Sequence, residues 1–221
     1  MKQKSKSVLI VTAILAAAAV NEVSAASVNA VVRDERNNFV KEAVVIATPA
    51  AGLSTSEQEL DMKIIDQVDK EFRPVVSVFQ AGTSVEFPNH DDIRHHVYSF
   101  SEAKTFEIPL YKGTPAQPIV FDQAGEVTLG CNIHDWMSAY VLVTDTPYFA
   151  KTDGDGRVDL AGLPPGEYTV EVWHYEQAAP SEQSAVTVNL TQNETPALEF
   201  KIERKKKWVP FRAPTQSQDS Y

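Results

Sequence analysis

The sequence predicts an all-β chain folded into β-sandwiches, and three observations carry that expectation. Short apolar alternations recur along the chain, Gly, Pro, Asn and Asp break them up, and no long stretch keeps a helical period. Many short strands at close spacing, with turn residues between them, are the pattern of paired sheets. In chain order the strand-like segments are 28–33, 43–48, 75–78, 84–87, 97–100, 119–121, 126–130, 139–144, 168–173 and 185–190. Turns are expected at 34–38 after the first of these, at Asn89-His90-Asp91 after the fourth, and at Asp153–Gly156. Residues 54–60 form the one segment with helical character, and 204–221, a basic run followed by Pro, Gln and Ser, reads as a disordered tail.

The two ends of the charge and hydropathy pattern restrict what the chain does. Lys2, Lys4 and Lys6 precede an apolar run over 8–20, and Val23-Ser24-Ala25 has the small residues of a cleavage site. This reads as a signal peptide over 1–25, with an uncleaved N-terminal anchor as the alternative; the apolar run is short for spanning a bilayer, so the mature chain is expected in the periplasm. No cysteine precedes Ala26 for a lipid anchor, and nothing after the signal reads as a transmembrane segment. The formal net charge of −10 grows more negative once that basic segment is removed. An acidic surface argues against nucleic acid and anionic membrane, which bind through basic patches, and suits a cationic protein partner.

Cys131 is the only cysteine, and in an oxidising compartment a single thiol is expected to be masked, paired between chains or bound to metal. Its neighbours favour metal. The run Gly130-Cys131-Asn132-Ile133-His134-Asp135-Trp136-Met137 places a thiolate, an imidazole and a thioether at Cys-x2-His-x2-Met spacing, directly after an alternating strand. Two imidazoles, a thiolate and a weak axial thioether make a mononuclear type 1 (blue) copper site. His95-His96, on an earlier strand, offers the missing imidazole. Successive strand residues face opposite ways, so one of the two is expected to bind. A Cys131/His134 nucleophile pair is the enzymatic alternative, but no third residue is evident to orient the base. A chain in which Cys131 is merely buried is the structural alternative.

The quoted residues resemble those of cupredoxins over about 60–146. Phe72-Arg73-Pro74 leads into Gly82-Thr83-Ser84-Val85-Glu86-Phe87-Pro88-Asn89, Asp92-Ile93-Arg94-His95-His96-Val97 supplies a histidine, and Gly125 to Cys131 is the strand that delivers the thiolate. Met137 to Val143 closes the sandwich. The short loop is similar to that of amicyanin, and longer stretches are similar to exported bacterial proteins of the plastocyanin-like, methylamine-utilisation type. The resemblance implies a cupredoxin Greek-key β-sandwich holding one copper through His95, Cys131, His134 and Met137. Aligned on Val97, it puts His95 at the ligand position and His96 where the family carries an asparagine that ties the ligand loops together. His96 and Asn89 are therefore expected to support the ligands from behind. His90 is expected to be solvated, and His174 to lie at the surface or between domains.

Segments 28–50 and 147–202 resemble two parts of a transthyretin-like, carboxypeptidase-regulatory-like β-sandwich. The resemblance rests on the opening hairpin and on Thr152-Asp153-Gly154-Asp155-Gly156-Arg157-Val158-Asp159-Leu160 with Leu163-Pro164-Pro165-Gly166-Glu167-Tyr168-Thr169-Val170. Such parts ordinarily follow one another directly, so the cupredoxin is expected to be inserted between them. Asp153–Gly156 lacks the spaced acidic ligands of a calcium loop and is expected to be a tight turn. The expected function is a periplasmic blue copper protein carrying single electrons, not an enzyme. The expected partners are periplasmic redox proteins, for example a cationic c-type cytochrome or a dehydrogenase. Copper delivery without a redox partner, or a non-redox structural module, are the alternatives. Trp136, beside the ligand His134, is expected either to cap the centre or to anchor a docking partner.

Overall fold

The computed structural model describes residues 25–53, 60–192 and 195–205. The expected signal peptide up to residue 24, the helical character of 54–59 and the expected tail from 206 lie outside the described residues. Within them the chain is all-β, apart from a short 3-10 turn at Ser181–Ser184. The first strands are β1 (Ala26–Asp34), β2 (Val44–Pro49), β3 (Lys63–Ile64), β4 (Asp66–Val68), β5 (Glu71–Arg73) and β6 (Val76–Gln80). There follow β7 (Thr83–Glu86), β8 (His95–Ser101), β9 (Lys104–Tyr111), β10 (Ile119–Phe121), β11 (Gly125–Cys131) and β12 (His134–Thr144). The last are β13 (Phe149–Lys151), β14 (Arg157–Leu163), β15 (Gly166–Trp173), β16 (Val186–Leu190) and β17 (Ala197–Ile202).

Two apolar cores organise these strands. One is enclosed by the sheet β14-β1-β17 and the sheet β13-β2-β15-β16, and its buried side chains come from 26–47 and 158–202. The other lies between the sheet β6-β12-β11-β8-β9 and the sheet β10-β7-β3, and draws on 65–143. Alternation explains which residue serves which layer. In β2, Val45 and Ala47 point into the first core, whereas Val44 and Ile46 point away from it. The outward pair meets Trp173 of β15, Val76 of β6 and Leu142 of β12 in a third cluster, which joins the two sandwiches. A strand buried on both faces reads as a continuous apolar run, as Val44-Val45-Ile46-Ala47 does.

The chain passes between the two halves at neighbouring points. Ala47, near the end of β2, donates to Tyr148 O and accepts from the Thr146 hydroxyl at 2.8 Å, where the chain returns from β12. Asp153 closes the expected tight turn, its carboxylate accepting from the N–H groups of Asp155 and Arg157. Arg204 and Lys205 depart from the expected tail. Arg204 pairs with Glu176 and lies 3.9 Å from Asp34, and the Lys205 N–H reaches Glu176 O, so the ordered chain continues past β17.

Candidate metal centre

The second sandwich brings His95, Cys131 and His134 together. Cys131 ends β11, His134 opens β12, and the two are cross-strand partners around a two-residue turn at Asn132-Ile133. Pairing resumes at Gly130 with Ser138, so one step on β11 faces four on β12 and Asp135, Trp136 and Met137 form a bulge. The bulge permits close ligand spacing in sequence without forcing the side chains to alternate strictly. Gly130 makes room for a side chain: a Cβ there would lie 2.7 Å from the ring of Tyr98, its partner on β8, so any larger residue would displace that ring. Only a glycine lets the Tyr98 ring cover the strand one residue before the thiol.

His95, at the start of β8, completes the group. Its Nδ1 lies 3.8 Å from Cys131 Sγ, the Nδ1 of His134 lies 3.7 Å from the same sulfur, and the ligand atoms of all three residues fall within 4.8 Å of one another. His95 and Cys131 are buried, and His134 is half-buried. Met137 is also buried, within the core beneath the bulge. The outer nitrogen of His95, Nε2, is 2.6 Å from Asp91 Oδ2. A carboxylate only accepts, so Nε2 carries the hydrogen and Nδ1 turns its lone pair toward the sulfur. Burial raises the Asp91 carboxyl, but hydrogen bonds from His95 and from the N–H groups of Lys70 and Asp69 outweigh it and hold the group below its ordinary value. Burial, with His95 and Lys70 nearby, lowers the His134 imidazole, which favours its neutral, ligating form.

The remaining sequence expectations divide. Asn89 lies in the turn before His95: its amide donates to Ile93 O at 2.9 Å and to Tyr111 O at 2.8 Å, while its Oδ1 accepts from the Asp91 N–H. It thereby fixes the turn that carries Asp91 up to His95. His96 does not bridge the ligand loops. It faces the other side of β8, where Nε2 meets Glu107 of β9 at 2.8 Å and Nδ1 is buried without a partner. His90 is exposed but not simply solvated, since its Nδ1 lies 2.7 Å from Asp66. His174 is buried, accepts at Nδ1 from the Glu176 N–H and stacks on Tyr175 beside the joining cluster. Trp136 is half-buried, its ring centroid 5.1 Å from that of His134 and its indole N–H donating to Lys70 O at 3.2 Å.

Asp91 was not among the residues the sequence singled out. The Asn89-His90-Asp91 turn signal was legible, but the pairing of Asp91 with His95 depends on how that turn folds back. The backbone donors at residues 69 and 70 carry no side-chain signature at all.

Two soft-to-borderline imidazoles and a thiolate, converging in a buried site, are a donor set that suits copper or zinc. The fit is good: both Nδ1 atoms point at the sulfur, and a carboxylate locks the tautomer of the deeper histidine. No model of a known protein family matches the chain, and no characterised protein sequence matches it. Solved structures that it resembles include the Cu-containing nitrite reductase NirK from Thermus scotoductus SA-01, at 24% identity and a TM-score of 0.37, over 45% of this chain and 26% of that one. The chain thus spans about a quarter of that reductase. It also resembles a purple cupredoxin from Nitrosopumilus maritimus, at 23% identity and 0.33, over 38% of this chain and 100% of that one. An amicyanin variant in its reduced Cu(I) form matches at 21% identity and 0.35, over 44% of this chain and 97% of that one.

Proposed function

We propose that the chain is a type 1 copper protein of cupredoxin kind that carries single electrons in the periplasm. The observation that carries this reading is the convergence of His95 Nδ1, His134 Nδ1 and Cys131 Sγ at the buried end of a β-sandwich. Met137, buried beneath the bulge, is assigned as the weak fourth ligand. Copper bound here would supply a Cu(II)/Cu(I) couple. The protein's part is to hold the donors still. The β11–β12 turn fixes Cys131 against His134, Asp91 fixes the tautomer of His95, and the core around Met137 excludes water. A donor set supplied wholly by the protein leaves no open position for a substrate, which favours electron carriage over catalysis.

The same reading assigns the first core to a transthyretin-like sandwich made of 28–50 and 147–202, with the copper domain inserted at 60–146. The apposition of Ala47 with Thr146 and Tyr148 supports it. Export depends on the segment up to Ala25. Among the described residues no helix is long and apolar enough to cross a membrane. The partner is a cationic redox protein docking near His134 and Trp136. The mature protein is expected to take up one copper per chain, measured by metal analysis after dialysis. Uptake that persisted undiminished in Cys131→Ser would remove the reading.

A further inference from the structure

We propose that the tip of the β4–β5 hairpin is a clamp that fixes both histidines of the centre relative to Cys131. The inference rests on the metal-site reading above and deepens it, by identifying what holds the two imidazole-bearing segments in register. His95 stands at the start of β8 and His134 at the start of β12, on segments far apart in sequence. The hairpin tip, Asp69-Lys70, touches both. The Asp69 N–H donates to Asp91 Oδ1 at 2.7 Å, and the Lys70 N–H donates to Asp91 Oδ2 at 2.9 Å, the oxygen that also receives His95 Nε2–H. The carbonyl of Lys70 receives the indole N–H of Trp136, whose ring lies against His134. One peptide segment is thus hydrogen-bonded on its donor side to the support of one histidine and on its acceptor side to the neighbour of the other.

The tip is built to hold that position. Asp69 and Lys70 both adopt left-handed backbone, with φ of 56° and 59°. Two such residues make the two-residue hairpin turn that matches strand twist, a geometry for which Asn-Gly is the easy choice. Residues with side chains keep it only where the surroundings hold them there. The surroundings do. Gln67, fully buried in β4, pairs through its backbone with Pro88 O and the His90 N–H, and its amide reaches Phe87 O, Pro88 O and the Tyr111 hydroxyl. The hairpin is therefore anchored to the same segment, 87–90, that leads into Asp91.

Two variants test the clamp in the full mature protein, with copper and with no metal. Trp136→Phe keeps an aromatic ring beside His134 but removes the indole donor to Lys70. Asp91→Asn keeps the shape and removes the charge and one acceptor. In the metal-free protein, Trp136→Phe is expected to move the side-chain 15N resonances of His95, across the hairpin tip. In the copper form Asp91→Asn is expected to speed copper release to a chelator by about 10-fold, at the low end of what loss of a ligand's hydrogen-bond partner costs, and Trp136→Phe to speed it by a smaller factor. The double variant should fall short of the product of the two effects, because both act through one element. Unchanged His95 resonances in Trp136→Phe, or release effects that multiply as independent ones, would overturn the clamp. If Asp91→Asn does not fold, the Trp136→Phe resonances decide alone. A wild-type protein that bound no copper would defeat the reading of the centre while the metal-free resonances still judged the clamp. Copper binding with both variants at wild-type behaviour would defeat the clamp and leave the centre standing.

Discussion

Cys131 has two imidazole nitrogens within 3.8 Å of its sulfur and no other thiol with which to pair, so its surroundings determine its chemistry. The two adjacent histidines on β8 separate cleanly by face. His95→Ala removes one of three converging donors and takes from Asp91 its imidazole partner, so copper affinity is expected to fall by at least about 10-fold, the scale of losing even a supporting contact. His96→Ala removes a contact with a mostly exposed Glu107, worth at most about 1 kcal/mol, and copper affinity should stay near wild type. Competition with a chelator measures both, and a larger loss in His96→Ala would reverse the assignment. At this scale the grouping of His95, Cys131 and His134 was readable because spacing and donor chemistry are written in the residue names. The supports were less so. Asp91 acts through a fold-dependent turn, and the support that His96 was expected to give comes from Asn89 and Asp91, because β8 turns His96 toward β9.

Among the elements, the turns decide where strands end and the bulges decide where side chains aim. Asp135-Trp136-Met137 interrupts an otherwise regular β11–β12 ladder beside the Cys131–His134 pair, and alternation alone does not foretell such an interruption. Strands β1, β11, β12 and β15 were legible because they bury apolar residues at period two, and β2 because it is a continuous apolar run. The strand β9 was not, since its residues are mostly part-exposed at a sheet edge and include Pro109, and β3 to β5 are too short to carry a pattern. The Asp153–Gly156 turn was legible, and it yields a sharp expectation. Gly156 has φ of 65°, and a Cβ there would sit 2.6 Å from Val32 O and 3.1 Å from Val40 N, both backbone atoms. Gly156→Ala should therefore destabilise the first sandwich by about 1–3 kcal/mol or more. Urea unfolding measures this, and a loss below about 0.5 kcal/mol would mean that the turn relaxes freely.

Across the whole molecule, the joining cluster makes the two sandwiches neighbours through Trp173, Val76 and Leu142, and buried His174 lies beside it. Burial holds the His174 imidazole down to about 4, with Glu176 and Glu42 raising it and Arg204 lowering it. Above about pH 6.5 the ring is neutral folded or unfolded and adds no pH dependence. As pH falls from there to about 4, the unfolded chain takes up the proton first, so stability should decline through that window. His174→Asn, which retains an acceptor for the Glu176 N–H, should flatten the decline, as followed by urea midpoints at several pH values. An unchanged slope would place the titrating group elsewhere. Excising 60–146 and joining the ends with a short linker should leave a folded β-domain, because the first core takes no side chain from that span. Loss of cooperative thermal unfolding in that variant would show that the two cores depend on each other.

The central claim is that Cys131, His95 and His134 together hold copper through a sulfur–metal bond. The most direct test is the visible absorption spectrum of the Cu(II)-loaded mature protein beside that of Cys131→Ser. An intense thiolate-to-Cu(II) charge-transfer band in the wild type, absent from Cys131→Ser and retained in Met137→Leu, is the predicted result. A wild-type protein without that band, or a Cys131→Ser protein that keeps it, would contradict the account.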